Sequence, residues 1–133
     1  MATFHLQIVT PDRLCFDGEA ERVIVRAHLG DVCIMAHHID YATALSIGEA
    51  KVTDAEGNVR TAACAGGMLS VNNGNVSLMP TTFEWKDEID VHRAELARDT
   101  AQERMKGLDI EDKNYRIASA KLKRALTRMQ VGH

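Results

Sequence analysis

The chain has 133 residues, 45% of them apolar and 26% charged, with a formal net charge of -3; this is a usual single-domain length, enough to bury about two-thirds of the surface on folding. The mild acidity argues against a general nucleic-acid binder, and Cys15, Cys33 and Cys64, odd in number and without zinc-like spacing, read as reduced core thiols of a reducing compartment. No cationic leader precedes an apolar run and no stretch approaches the ~18 residues that cross a bilayer, so a soluble, unprocessed chain is expected.

From Thr3 to Val9, Phe4, Leu6 and Ile8 alternate with His5 and Gln7, the period-2 pattern of a half-buried strand, and Pro11-Asp12 turns the chain. Short strands are expected at Leu14 to Phe16, Arg22 to Ala27, Val32 to Met35, Thr43 to Ile47, Ala50 to Thr53, Val59 to Ala65, Met68 to Val71 and Val76 to Met79. Asp54 to Asn58 should close one hairpin and Asn72 to Asn75 another, because Asn and Gly accept the positive φ of tight turns. Gly66-Gly67 lies between two strand runs without a following helix, so it reads as a bend rather than a phosphate loop. Such a run of strands, with no helical period between them, predicts a β-sandwich or flattened barrel of about ten antiparallel strands.

Past Glu88 the period becomes helical. Ala94, Ala97, Ala101, Met105 and Leu108 form one stripe, and Tyr115, Ala118, Leu122, Ala125 and Met129 form another. Asp90 is the expected N-cap of the first helix, Gly107 its left-handed end, and Asp109 the cap of the second, which predicts a two-helix antiparallel hairpin. The domains are therefore residues 1–84, a sandwich, and 85–133, a hairpin, with a hinge at 84 to 88. Each methylene absent from an Ala-rich stripe gives up roughly 0.8 kcal/mol of burial, so the hairpin should pack closely but weakly. It reads as a movable tail or, alternatively, a static cap.

Charge divides within the tail. Residues 84 to 112 hold ten Asp or Glu against five Lys or Arg, whereas after Asp112 come Lys113, Arg116, Lys121, Lys123, Arg124 and Arg128 with no acid. The last helix is cationic and suits an acidic or phosphate-bearing partner.

Few residues invite chemistry. His37-His38 near Asp40 does not make a metal site, because adjacent strand residues point to opposite faces, and no nucleophile elbow surrounds Ser70 to join Asp90 and His92 in a triad. No catalytic and no metal-ligating residue is assigned. The stronger constellation is Glu84 with Ile89, Asp90, Arg93 and Ala94 and the later Arg124 and Arg128. In one reading Asp90 caps its helix and Arg93 pairs with a carboxylate. In the other, Ala94 admits a flat base, Asp90 and Glu84 accept hydrogen bonds from an amino group or ribose, and the arginines clamp phosphates bidentately.

Order and spacing of these pieces resemble the epsilon subunit of bacterial and chloroplast F-type ATP synthases along essentially the whole chain. Leu6 to Arg13 resembles the family's first strand and turn, Gly30 and His38 fall at its glycine and histidine, and Ala65-Gly66-Gly67-Met68 resembles its Ser-Gly-Gly-Phe run. Ile89-Asp90-Val91-His92-Arg93-Ala94 looks like its Ile/Leu-Asp-x-x-Arg-Ala motif, and Arg124 to Arg128 like the basic end of its second helix. The chain departs from the pattern at Ala27 and Cys33, where glycine is expected, and at Ala36 and Asp40, where proline is expected.

The resemblance implies a non-catalytic rotor subunit in the central stalk of a proton-translocating enzyme. Its partners would be the gamma subunit, the c-ring and, through the hairpin, the catalytic alpha and beta subunits, with ATP hydrolysis inhibited by the hairpin and no nucleic acid bound. It would sit peripherally on the cytoplasmic face of a bacterial inner membrane, a chloroplast thylakoid being the secondary setting. No cofactor is required, but regulatory ATP is implied at Glu84, Ile89, Asp90, Arg93, Ala94, Arg124 and Arg128. Thr100 stands where ATP-binding relatives place an arginine, a loss worth roughly 1.5 to 3 kcal/mol, one charge-assisted hydrogen bond. The rival reading is a freestanding β-sandwich ligand sensor or adaptor with a helical lid.

Overall fold

The computed structural model describes residues 2–133. Nine strands come first: β1 (Phe4–Val9), β2 (Leu14–Ala27), β3 (Gly30–Met35), β4 (Tyr41–Ala44), β5 (Ile47–Asp54), β6 (Val59–Ala65), β7 (Met68–Asn72), β8 (Asn75–Met79) and β9 (Thr82–Trp85). A single 3-10 turn (Lys86–Glu88) then leads to α1 (Val91–Met105) and α2 (Lys113–Gly132). The β-sandwich and the helical hairpin are both present, in the expected order.

The strands form one continuous sheet ordered β4-β7-β8-β1-β2-β5-β6-β9, with β3 added to β2. It folds over itself at β2, which the sequence reads as two strands, Leu14 to Phe16 and Arg22 to Ala27, but which runs unbroken for 14 residues. The first half of β2 pairs with β1 and the second with β3, and its register against β5 shifts between Ala20 and Arg22. A shift of this kind is how one strand serves two layers of a sandwich. All pairs are antiparallel except β1 with β8, which run parallel from Leu6 opposite Val76 to Ile8 opposite Leu78, a departure from the expected all-antiparallel set. Between the runs expected at Thr43 to Ile47 and Ala50 to Thr53, the chain breaks at Leu45-Ser46 instead.

Alternation holds in β1, where Phe4, Leu6 and Ile8 are buried, and in β2, where Val23, Val25 and Ala27 are buried. Leu69, Val71, Val76 and Leu78 close the core from the other side. The Asn72–Asn75 turn has Asn73 at φ 50 and Gly74 at φ 80, the two positive values that a two-residue turn matched to strand twist demands. Asp54 Oδ1 accepts from the amides of Glu56 and Asn58 at 3.0 and 2.9 Å, closing the other predicted hairpin. Cys64 lies in the core, where burial pushes its thiol up to about 12, but Cys33 is exposed on β3, an edge strand that among the described residues pairs only with β2. The expectation of three core thiols fails there, because the pleat turns Cys33 outward while Ile34 is buried.

β6 is different. Ala62, Ala63, Cys64 and Ala65 are all buried, yet only Ala62 and Cys64 belong to the sandwich core. Ala63 and Ala65 point to the opposite face, where α2 packs across β5 and β6. Small side chains on that face let a helix lie close to the sheet.

The junction is an aromatic and ionic knot. Trp85 stacks edge-on with Phe83 at 4.8 Å and Phe16 at 6.5 Å, carries the Arg60 guanidinium over its ring at 3.8 Å and donates from Nε1 to the Cys15 carbonyl at 3.2 Å. Arg13, in the β1–β2 turn, donates to both oxygens of Glu88 at 2.6 and 2.7 Å and to the Phe83 carbonyl at 3.2 Å. Glu88 also accepts from the Trp85 amide at 3.0 Å. The Arg13 hydrogen bond, more than any other influence, holds the Glu88 carboxyl below its ordinary range. The segment 84 to 88, expected as a hinge, is thus fastened to the sandwich. The chain reaches α1 through Ile89 and Asp90, both extended at φ -80, ψ 126 and φ -87, ψ 98.

Candidate functional site

α1 begins as the sequence predicts, with Asp90 Oδ1 accepting from the Arg93 amide at 3.0 Å. Gly107 ends the helix at φ 76. The cap of α2 is Asp112, which accepts from the Asn114 amide at 2.8 Å, and not Asp109, which accepts from Glu111 at 3.1 Å and folds the connecting turn. Residues 108–112 reverse the chain after Gly107, with the Asp112 amide donating to the Asp109 carbonyl at 2.9 Å, and Asp109 is spent on that turn.

The hairpin interface is built of small residues. Ala94 and Ala101 from α1 and Ala118 and Ala125 from α2 are buried, whereas Tyr115, Leu122 and Met129 of the predicted stripe are only half covered. At the far end Gly132 allows the tail of α2 to pass the start of α1, since a Cβ there would come within 2.7 Å of Val91 Cγ2 and 3.1 Å of Ile89 Cγ2. Leu96, Ile110, Ile117 and Leu126 remain exposed on the hairpin.

Five of the seven predicted site residues meet in one cleft of about 200 Å³, lined by Glu84, Asp90, Arg93, Ala94 and Arg128 together with Glu88. β9 supplies Glu84, the start of α1 supplies Asp90, Arg93 and Ala94, and the last turns of α2 supply Arg128. Arg128 Nε lies 2.8 Å from Glu84 Oε1, so this pair spans the sandwich and the hairpin. It is the cleft's clasp. Arg93 is exposed, and no carboxylate pairs with it among the described residues, contrary to the simple capping scheme in which it would find an acid. Asp90 uses one oxygen for its cap, and a carboxylate has a second to offer.

Two predicted residues stand elsewhere. Ile89 turns away and packs beside Gly132. Arg124 lies one turn before Arg128 and lines a neighbouring cleft of about 350 Å³ between the helices, with Ala97, Thr100, Ala101, Arg104, Lys121 and Arg128. Arg128 is common to both clefts. Sequence reasoning missed Glu88, Arg104 and Lys121. Glu88 belongs to no periodic stripe and is placed only by the distant Arg13, but the other two carried a signal: Arg104 is four residues after Thr100, and Lys121 three before Arg124, spacings that share a helix face.

Chemically, the first cleft offers carboxylate acceptors beside two guanidinium groups, and the second offers cations over an alanine floor. Such a pairing suits reversible binding of a polar, anionic small molecule. The class defined by the fold is a β-sandwich carrying a docked helical hairpin, with the candidate site residues at the seam.

Residues 3–86 match the beta-sandwich domain of the ATP synthase delta/epsilon chain, and residues 87–132 match the long alpha-helix domain of the same chain. An ATP synthase epsilon chain of Ruminococcus albus is 33% identical over 134 residues, spanning 100% of this chain and 98% of its own length. Another, from Alkaliphilus oremlandii, is 40% identical over 104 residues, 78% of this chain and 77% of its own length. A chain of the Euglena gracilis mitochondrial ATP synthase superposes with a TM-score of 0.85 at 20% identity, covering all of this chain and 83% of that one. One from the central stalk and c-ring of the Tetrahymena thermophila enzyme gives 0.67 at 13%, covering 97% and 96%. At these identities the two structures establish a common fold. This chain belongs to the ATP synthase delta/epsilon family. No helix among the described residues is long and apolar enough to cross a membrane.

Proposed function

We propose that the chain is the non-catalytic epsilon subunit of the central stalk of a proton-translocating F-type ATP synthase. Residues 1–84 couple the gamma subunit and c-ring to the catalytic head, and residues 85–133 act as a brake on ATP hydrolysis. The observation that carries this reading is the seat of α2. A helix with six cations and no acid after its cap is laid on β5 and β6 through alanines and clasped at one point, Arg128 to Glu84. So light a seat leaves the docked state only a few kcal/mol from release, and acidic surfaces on the alpha and beta subunits compete for the same cations.

ATP at the seam favours the docked state, because it binds residues of both helices and of β9 that separate when the hairpin leaves. It is a regulatory ligand, not a cofactor, and its contacts are Glu84, Asp90, Arg93, Ala94, Arg124 and Arg128, with Ile89 supporting the turn into α1. The subunit works from the cytoplasmic face of a bacterial membrane, held there by its partners.

Two experiments test these statements. Affinity capture of the tagged full chain from native membranes recovers gamma and catalytic subunits, whereas a freestanding sensor comes away without them. Reassembly of the enzyme with a chain ending at Glu88 raises ATP hydrolysis while assembly is kept. Unchanged hydrolysis removes the brake.

A further inference from the structure

Where the last turn of α2 meets the start of α1, the packing changes character. Val131 is 4% exposed, and among the described residues it is the only one of α1 and α2 that is both buried and larger than alanine. The next residue, Gly132, is still helical and does not adopt a positive φ, in contrast to Gly107, which ends α1 at φ 76. The backbone conformation therefore does not require glycine, and glycine is a poor helix former. Space requires it. A Cβ at 132 would meet Val91 Cγ2 at 2.7 Å, Ile89 Cγ2 at 3.1 Å and Ile89 Cβ at 3.6 Å. All three atoms belong to β-branched side chains that are stiff at χ1, so no flexible end can swing aside. The His133 amide donates to the Met129 carbonyl at 3.2 Å and keeps this turn helical, while His133 Nε2 lies 4.0 Å from Glu95 Oε1, one turn further along α1.

Gly132 touches the root of the arm. Arg13 fastens Glu88, and with it the 3-10 turn, to the sandwich, so the first backbone free to turn is that of Ile89 and Asp90, both extended. α2 ends against Ile89, and Gly132 shares a groove with Trp85, Lys86 and Asp87. While Gly132 is seated there, close packing leaves no gap in which α1 could swing about Ile89 and Asp90. We infer that Val131 and Gly132 form a catch seated on the pivot of the arm, and that the last turn of α2 must lift from Ile89 and Val91 before the hairpin opens. The inference rests on the reading of residues 85–133 as a movable brake and adds to it the place where opening starts. Arg128, one turn earlier on α2, leaves Glu84 in the same movement.

Hydrogen exchange on the full chain carrying Gly132→Ala tests the catch, because helix propensity and the catch predict opposite signs. Propensity alone would slow exchange in α2. The catch predicts that amides of residues 94–97 and 128–132 exchange about tenfold faster, the scale of a modest overpacking cost, with β2 and β5 unchanged. Val91→Ala added to Gly132→Ala removes the methyl that the new Cβ meets and should restore most of the protection, a non-additive rescue that a general weakening of α2 would not give. Protection in Gly132→Ala equal to or above that of wild type overturns the catch, and so does an acceleration that Val91→Ala deepens instead of relieving. In the reassembled enzyme a released catch favours the braked state, so Gly132→Ala should lower ATP hydrolysis relative to wild type. Faster exchange with unchanged hydrolysis leaves the catch standing and counts against the brake.

Discussion

The sandwich and the hairpin bury apolar surface by opposite means. In the sandwich Leu6, Ile8, Ile34, Leu69 and Leu78 are sealed from solvent, each worth about 1.5–3 kcal/mol of burial. In the hairpin the sealed residues are chiefly Ala94, Ala101, Ala118 and Ala125, while Leu96, Ile117 and Leu126 face solvent. Part of the apolar mass that would fix the helices is therefore turned outward and Tyr115, Leu122 and Met129 are only half covered, so the tail is sealed mainly by small groups, with one ion pair, Arg128 to Glu84, joining it to the sandwich. A rigid platform bearing a lightly seated arm is what the proposed brake requires, since the arm can move without loosening its base.

Four substitutions sharpen or break this contrast, the strongest first. Leu78→Ala should destabilise the sandwich by about 2–5 kcal/mol, seen as a large fall in the cooperative thermal transition. A loss below ~1 kcal/mol would mean that the platform is not tightly packed. Ala125→Gly should cost about 1 kcal/mol through helix propensity alone. Its mark is faster amide exchange in α2, with β2 and β5 unchanged, and equal acceleration in the strands would show one cooperative unit instead of two.

Glu84→Ala removes the clasp on Arg128. Both side chains are about one-third exposed, so the loss should stay within about 1 kcal/mol and shrink as salt is added. Smallest is the effect of Glu88→Gln, and it depends on pH. Arg13 lowers the folded carboxyl below the unfolded value of ~4.3, so the pair stabilises the fold above that pH and its contribution vanishes as pH falls through the lower folded value. Urea melts of wild type and variant should differ at neutral pH and converge once the pH has fallen below the lowered folded value. A gap that persists in acid would assign the effect to packing.

Much of this was legible beforehand, and the exceptions have physical causes. Period-2 alternation located β1, β7 and β8, and the Asn73-Gly74 turn required its sequence. The caps at Asp90 and Gly107 followed from local chemistry, as did the existence of two helices. The sequence leaves a gap between Phe16 and Arg22, yet pairing with β1 as far as Ala20 carries β2 through. The parallel partnership of β1 with β8 joins segments some 70 residues apart, and no local pattern encodes it. Of the site, the α1 motif and Arg128 came from the sequence, and Glu88 did not, since Arg13 fixes it from 75 residues away. Ala62 to Ala65 was a visible apolar run whose meaning, burial on both faces beneath α2, depended on knowing what lay above it.

Hydrogen exchange on the intact chain, with and without ATP, tests the contrast most directly. Amides of residues 113–132 should exchange through local opening far faster than those of β2 and β5, and ATP should slow the helices while leaving the strands as they were. Helices protected as strongly as the core strands, and indifferent to ATP, would contradict a detachable arm on a rigid base.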